Sequence, residues 1–280
     1  MPFTINIHRL AIIALLTVNA IILNAGSPVS DAEYQKLKKA ALNRPRTVMM
    51  NNDACDSRGT NLTADIFLSR RTSFTPGIVN TLIYCVGQGG FQQVVDLPHG
   101  ETSPYLETVD VFQWLIDFAR ANGQEVFCSF RMNDVHDWRH TEEHPQISRW
   151  KQEHRDCLFG KTAEDKETLY GFWTAMDFER DEVRNQYLDI VNDVLQKYDV
   201  DGLDFDFSRY LPIFKRVSMG TVADDHLRGL LTSMFRKIRK AADAKGKERG
   251  RAILISVVLP DSIDYCRDLG ADIETWMKEG

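Results

Sequence analysis

Short apolar runs alternate with amphipathic stretches along most of the chain. The apolar runs have the length and the Val, Ile, Leu and Phe content of buried strands, and they lie at 46–50, 78–86, 125–130, 200–207 and 251–259. The amphipathic stretches predict helices at 104–122, 181–198 and 224–245, with shorter helices at 30–42 and 272–279. Strands that are apolar throughout and separated by helices indicate an α/β fold with a parallel sheet and helical crossovers.

A (β/α)8 TIM barrel and a doubly wound sheet both fit this alternation. A doubly wound sheet that binds a nucleotide carries a glycine-rich loop after its first strand, but residues 51–60 contain no G-x-G-x-x-G. Gly87-Gln88-Gly89-Gly90 follows the second strand, lacks the full pattern and is interpreted as a flexible turn. We therefore predict a (β/α)8 barrel. Because a complete barrel has eight strands, we expect one truncated after about five βα units.

The N-terminal segment 1–26 differs from the rest of the chain. It has a weakly positive start, an almost unbroken apolar run at 10–23 and small residues after it. This order is typical of a secretory signal peptide, and the run is short for a membrane span, which needs roughly 20 residues. An uncleaved anchor is the alternative, and only then is membrane contact expected. We predict a secreted or periplasmic protein with a leader helix or linker at 27–44 and a partial TIM-barrel domain at 45–280.

Charge and cysteine content narrow the function classes. The net charge is −6, whereas a nucleic-acid-binding protein usually has a basic face, so no nucleic-acid partner is expected. The five cysteines are odd in number, widely spaced and without a C-x-x-C pair. Neither a disulfide framework nor a zinc site is predicted from them, and we predict no metal and no cofactor.

The segment Val-Asp-Gly-Leu-Asp-Phe-Asp-Phe-Ser-Arg-Tyr at 200–210 is the most informative part of the chain. On a strand, Asp204 and Asp206 project to the same face. Two carboxylates on one face of an apolar strand are costly unless they are solvated, paired or used. In a βα barrel the C-terminal ends of the strands hold the active site, so we predict the floor of a catalytic or binding cleft for sugars. The alternative is structural, with one Asp capping a loop and the other paired with Arg209 or Arg131.

Polar residues also follow the other predicted strands, and the planar Arg and Asn groups suit sugar hydroxyls. An aromatic ring can stack on a sugar ring through its apolar face. The candidate binding residues at the strand ends are Asn51, Asp53, Arg131, Asn133, Asp134, His136, Arg209, Tyr210 and Asp261.

Three motifs resemble a known family. Phe-Arg-Met-Asn-Asp-Val-His-Asp at 130–137, Val-Asp-Gly-Leu-Asp-Phe-Asp-Phe at 200–207 and Val-Val-Leu-Pro-Asp-Ser at 257–262 resemble the glycoside-hydrolase-like TIM-barrel proteins exported by bacteria. The resemblance covers roughly 45–280 and implies a (β/α)8 barrel that acts on glycans or binds them. The retaining barrel glycosidases of this broad clan carry their acid/base as a glutamate at the end of strand four, where this chain has Asp204 and Asp206.

The resulting hypothesis is a glycoside hydrolase acting on O-glycosyl bonds of a glycan or oligosaccharide. Asp206 lies nearer the end of its strand and is predicted to be the catalytic acid, with Asp204 as the neighbour that raises its pKa. One alternative is a non-catalytic carbohydrate-binding barrel protein, which the missing glutamate favours. A second is a metal-dependent hydrolase built on Asp134, His136 and Asp137, for which nothing in the sequence fixes a third ligand.

Overall fold

A computed structural model describes residues 28–59, 61–88, 91–92, 94, 96–103, 106, 109–165 and 172–280 of the chain. The predicted signal peptide or anchor at 1–26 lies outside the described residues, as do Gly89 and Gly90 of the predicted turn. Within the described ranges, no helix is both long enough and apolar enough to cross a membrane.

The centre of the fold is a parallel sheet whose strands follow one another in chain order. The strands are β1 Met49–Asn52, β2 Thr81–Gln88, β3 Phe91–Gln92, β4 Glu125–Arg131, β5 Gly202–Asp206 and β6 Leu254–Val258. The order is β1-β2-β4-β5-β6 with every pair parallel, and the short β3 pairs antiparallel to β2. A doubly wound sheet reverses its strand order at a switch point, and this sheet does not. The predicted α/β fold with about five βα units is confirmed, and the strand order is that of successive strands in a (β/α)8 barrel.

Helices lie between the parallel strands, before the first strand and after the last one. They are α1 Asp31–Leu42, α2 Ala64–Arg71, α3 Val111–Ala121, α4 Arg149–Glu153, α5 Asp181–Lys197, α6 Lys215–Ser218, α7 Asp225–Arg249, α8 Ile263–Asp268 and α9 Ile273–Glu279. The long helices agree with the predictions except that α3 begins later than residue 104. It begins at Val111 because the side chain of Asp110 accepts a hydrogen bond from the backbone N–H of Gln113 and caps the helix there.

The two faces of the sheet differ in what covers them. Residues paired in register share a face, so Tyr84, Cys128 and Phe205 lie on one face, which packs against the helices and which we call the outer face. Rings there meet aromatic rings of α3 and α7: Tyr84 stacks on Phe112, and Phe205 meets Phe235 edge to face. The opposite face, called the inner face, corresponds to the interior of a barrel.

Asp204 and Asp206 both lie on the inner face, as predicted from their spacing. Asp204 is in register with Ser129 of β4 and Ser256 of β6, and Asp206 is in register with Arg131. The row of residues below them is apolar. It contains Ile83, Phe127, Gly202 and Leu254, of which the three with apolar side chains form one buried cluster. The inner face is therefore apolar in its middle and polar toward the C-terminal ends of the strands.

Gly202 begins β5 because the ring of Phe127 occupies the space that a side chain would need. A Cβ atom built on Gly202 would lie 2.6 Å from two ring carbons of Phe127. The phenyl ring is packed in the apolar row of the inner face and is almost fully buried. Close packing at this position therefore fixes how β4 and β5 approach each other.

We expect Gly202→Ala to destabilise the fold by about 1–3 kcal/mol, the usual cost of overpacking a filled core. The matched control is Gly229→Ala in α7, where an added Cβ meets nothing within 4 Å. Alanine is the better helix former there, so the control should be neutral or stabilising by up to about 1 kcal/mol. Chemical denaturation measures both changes. Equal stability of the two variants would contradict the packing described for Phe127.

Candidate active site

Asp204 is a buried carboxyl on the inner face. Its Oδ2 accepts a hydrogen bond from the hydroxyl of Ser129 at 2.7 Å, and its Oδ1 accepts one from the hydroxyl of Ser256 at 2.6 Å. The residue is only 1% exposed. Burial raises the pKa of Asp204, the serine hydrogen bonds oppose the shift, and the charge of Asp206 adds to it. Asp204 is thus a buried carboxyl whose protonated form is favoured by its surroundings.

Asp206 lies at the C-terminal end of β5, closer to the rim. Its Oδ1 accepts hydrogen bonds from the backbone N–H of Ser208 at 2.8 Å and from the hydroxyl of Ser208 at 2.5 Å. The Nε atom of Arg209 lies 3.7 Å from Oδ2. Ser208 and Arg209 are both exposed. The structural alternative had one Asp capping a loop and the other paired with Arg209 or Arg131, and here Asp206 makes both kinds of contact. Its carboxyl lies at the C-terminal edge of the sheet and is buried.

Arg131, at the end of β4, belongs to a second group of charged side chains, together with Asp134 and His136. It is buried, its Nη1 lies 3.2 Å from Oδ2 of Asp134, and it lies opposite Asp206 in the sheet register. Oδ1 of Asp134 is 2.6 Å from Nδ1 of His136 and accepts the backbone N–H of His136 at 3.0 Å. Burial raises the pKa of Asp134, but the hydrogen bonds and charge of His136, with the charge of Arg131, outweigh burial and hold that pKa below its usual value.

Asn133 closes the long loop that follows β4. Its Nδ2 donates to the backbone oxygen of Met176 at 3.0 Å, and its Oδ1 accepts the backbone N–H of Met176 at 2.6 Å. The residue is fully buried and has a left-handed φ of 58°, which asparagine tolerates better than most residues. In the structure Asn133 therefore holds the two ends of the loop together, and its amide does not face the cleft as the sequence-based prediction had it.

A buried ion pair holds the middle of the same loop. Nζ of Lys151 lies 2.7 Å from Oδ2 of Asp137, and the hydroxyl of Thr174 donates to Oδ1 of Asp137 at 2.6 Å. All three residues are buried, and Lys151 is fully so. Burial raises the pKa of Asp137, and the charge of Lys151 opposes that shift. Asp137 is thus used inside the loop rather than at its surface.

The remaining candidate residues are spread along the rim. Asn51 is exposed and shares the inner face with Ile83, and Asp261 is exposed beyond β6. Oδ1 of Asp53 lies 2.5 Å from Nη1 of Arg71, so this carboxylate is paired with the end of α2. The ring of Tyr210 is only 5% exposed and packs with Val135, Phe159 and Ala175 in a small apolar cluster. That placement leaves the Tyr210 ring inside the protein rather than available to stack on a sugar.

Ser129, Ser256, Lys151 and Thr174 are site residues that the sequence analysis missed. For the serines a sequence signal existed, because each is a hydroxyl residue within an otherwise apolar strand. The register that places both beside Asp204 is seen only in the structure. For Lys151 and Thr174 no local signal existed, because a lysine in a polar loop is usually solvated.

The described residues do not supply a metal site. In the described part of the chain, no group of three or more His, Cys, Asp or Glu side chains is placed to hold a metal ion. Asp134 and His136 are bonded to each other, and Asp137 is bonded to Lys151. The metal-dependent alternative therefore has no ligand set in this part of the molecule.

Comparisons with known proteins give distant likenesses only. No protein-family model matches the chain, and no curated protein matches it. Among solved structures, a putative alpha amylase from Salmonella typhimurium matches with a TM-score of 0.47 at 16% identity, over 84% of this chain and 33% of that one. The α-L-fucosidase isoenzyme 2 of Paenibacillus thiaminolyticus matches with a TM-score of 0.44 at 14% identity, over 76% and 32%. A family GH18 chitinase from Chromobacterium violaceum matches with a TM-score of 0.43 at 16% identity, over 78% and 32%.

The chain thus spans about a third of the length of these solved structures. Each likeness is therefore partial.

We expect Lys151→Met to destabilise the protein by about 3–5 kcal/mol, because it leaves the Asp137 carboxylate buried without its partner. The control is Arg236→Met, which breaks the pair with Glu279; these two side chains are 57% and 42% exposed. Exposed pairs contribute about 0–1 kcal/mol, so the control should change little. Thermal unfolding measures the loss of stability of each variant relative to the wild type. A small effect of Lys151→Met would show that the loop does not depend on this pair.

Asp204→Asn should change the dependence of stability on pH. A carboxyl whose folded-state pKa is raised contributes stability below its unfolded pKa of about 3.9 and loses that contribution as pH rises through its folded pKa. The asparagine variant lacks this loss, so its stability relative to the wild type should increase between pH 4 and pH 7. For each unit by which folding raises the pKa of Asp204, the relative stability of the variant should increase by about 1.4 kcal/mol.

Denaturation at several pH values measures this difference. Asp134→Asn is the opposite case, because the pKa of Asp134 is lowered, and its relative stability should fall over the same range. If the difference in unfolding free energy between Asp204→Asn and the wild type did not change with pH, burial would not raise the pKa of Asp204, and this description of the site would be contradicted.

Proposed function

We propose that this chain is a carbohydrate-active protein of the glycoside hydrolase type, with Asp206 as the carboxylate that meets the substrate. The observation that carries the proposal is the pair of carboxyls on the inner face of β5, at the C-terminal edge of a parallel sheet. Active sites of βα barrels lie at this edge. Hydrolysis of a glycosidic bond uses carboxyl groups beside the bond, one to move a proton and one as base or nucleophile.

The different surroundings of the two carboxyls support different roles. Asp204 is enclosed by two serine hydroxyls and burial raises its pKa, so it acts as a buried support for the site. Asp206 is bonded to the exposed Ser208 and lies beside the exposed Arg209. A pair of titratable groups with such unequal environments is typical of a catalytic site. The proposal therefore makes Asp204 the buried support and keeps Asp206 as the group at the substrate.

Groups that can bind hydroxyls lie in the segments that follow β4 and β5. Arg209 presents a half-exposed guanidinium, and His136 is exposed at the end of the neighbouring strand. Planar Arg groups and imidazole nitrogens provide directional hydrogen bonds to hydroxyl-rich ligands. A glycan or oligosaccharide is the substrate class that this combination of carboxylate, guanidinium and imidazole favours.

A binding-only protein is the second candidate function. The observation that favours it is the contact set of Asp206, since both of its oxygens already face groups of its own loop, Ser208 and Arg209. A carboxylate held in this way can accept hydrogen bonds from a sugar without any chemistry. The two functions agree on where the ligand binds and differ in whether a bond is broken.

Asp206→Asn separates the two functions. With a panel of 4-nitrophenyl glycosides and labelled oligosaccharides, we expect the wild type to release sugar and the variant to lose that release by about 10²-fold or more, with unchanged thermal stability. The control is Asp117→Asn on the exposed side of α3, which should leave release unchanged.

Calorimetry on the same oligosaccharides completes the experiment. Binding without any new reducing ends in the wild type would favour the binding-only function. Neither binding nor release, or full release by the Asp206 variant, would contradict the proposal.

A further inference from the structure

His136 is the exposed member of a chain of charged groups. Its side chain is 59% exposed, whereas the carboxylate behind it, Asp134, is buried. Two contacts fix the imidazole to that carboxylate: Nδ1 lies 2.6 Å from Oδ1, and the backbone N–H of His136 donates to the same oxygen. The ring therefore has one nitrogen anchored on an acid and the other, Nε2, directed away from that anchor.

The contacts of Asp134 connect His136 to the end of β5. Asp134 is paired with Arg131, and Arg131 is in register with Asp206. The backbone N–H of Met132, the residue after Arg131, donates to the backbone oxygen of Asp206 at 2.8 Å, so the loop that carries His136 starts directly beside the end of β5. Asp206 and His136 thus belong to one edge of the sheet and to one connected set of interactions.

A buried carboxylate on Nδ1 orients an imidazole and determines which ring nitrogen is directed outward. The other charged groups nearby are committed: Arg131 pairs with Asp134, Lys151 of α4 pairs with Asp137, and Arg209 lies beside Asp206. Tyr187 of α5 faces the same region through a hydrogen bond to the backbone oxygen of Arg131. Among these groups, His136 is the one that combines exposure with an orienting acid.

We propose that His136 is the proton donor of the site and Asp134 its positioning residue, an inference that rests on the proposed function. The protonated imidazole gives its Nε2 proton to the glycosidic oxygen as the bond to the anomeric carbon breaks. Asp206 removes a proton from the water whose oxygen bonds to that carbon. One water is added across the bond, His136 becomes neutral and Asp206 becomes protonated. Transfer of that proton through solvent from Asp206 to His136 restores the starting state.

The dependence on the leaving group tests this role. A general acid matters for a leaving group that must be protonated and hardly matters for 2,4-dinitrophenolate, which leaves without a proton. We expect His136→Ala to lower kcat on the unmodified oligosaccharide by about 10²–10⁴-fold, while kcat on the 2,4-dinitrophenyl glycoside of the same sugar stays within about 10-fold. Asp206→Asn should lower both.

The chain contains a matched control for His136. Nδ1 of His99 lies 3.1 Å from Oδ1 of Asp193, and the His99 side chain is 54% exposed, but Asp193 belongs to α5 and not to a strand end. His99→Ala should leave both substrates unaffected. Equal loss on both substrates in His136→Ala, or no loss on either, would overturn the proposal while leaving the proposed function intact. Absence of cleavage by the wild type would overturn both.

Asp134→Asn tests the positioning role with a readout that a purely structural residue would not change. In proton NMR of the full chain, the Nδ1–H of His136 should give a strongly downfield resonance because it bonds to a carboxylate. We expect that resonance to disappear in His136→Ala, to shift upfield in Asp134→Asn, and to be unchanged in His99→Ala. In Asp134→Asn the loss of kcat should again be larger on the oligosaccharide than on the 2,4-dinitrophenyl glycoside. An unshifted resonance in Asp134→Asn would contradict the pairing.

Discussion

The register of β5 between β4 and β6 is the constraint on which the site depends. It places Asp204 between Ser129 and Ser256, so that a carboxyl that would be costly in an apolar strand has a hydroxyl donor for each oxygen. A slip of one residue would turn Asp204 and Asp206 toward the helices and bring Phe205 to the inner face. The apolar row beneath, where Phe127 covers Gly202, opposes such a slip because it admits no side chain at that position.

The long loop after β4 begins at the C-terminal edge of the sheet and carries His136. Asn133 and the Lys151–Asp137 pair fix the loop at its start, middle and end, through partners that are far away in sequence. Because these polar groups are satisfied inside the loop, His136 can remain exposed while its neighbours on both sides are buried. Adjacent residues of one segment therefore differ in their surroundings: Asn133 and Asp137 are buried and support the fold, whereas His136 faces solvent.

The sequence predicted those elements in which apolar and polar residues alternate with a regular short period. The two-residue period of β5 placed Asp204 and Asp206 on one face, and the helical period located α5 and α7 closely. The first strand was placed too early, because the Arg46 side chain pairs with Glu125 and the chain joins the sheet only at Met49. Short helices such as α2, which buries only Phe67, have too few apolar residues for their period to be recognised.

What could not be predicted depends on contacts between distant residues. Asn133 has the residue type of a sugar ligand, but its partner Met176 turns it into a loop clamp. Tyr210 has the residue type of a stacking platform, but the cluster around Phe159 buries it. Residue type alone therefore predicts too many candidate binding groups at the strand ends. Contacts inside the protein occupy some of these side chains.

NMR chemical-shift mapping with an oligosaccharide tests the central claim most directly. The account predicts that the backbone and side-chain signals of Asp206, Arg209 and His136 shift on titration, while those of the loop clamp at Asn133 and of the distant pair at His99 do not. Shifts confined to another part of the surface, or no shifts with any oligosaccharide of the panel, would contradict the assignment of this edge as the site.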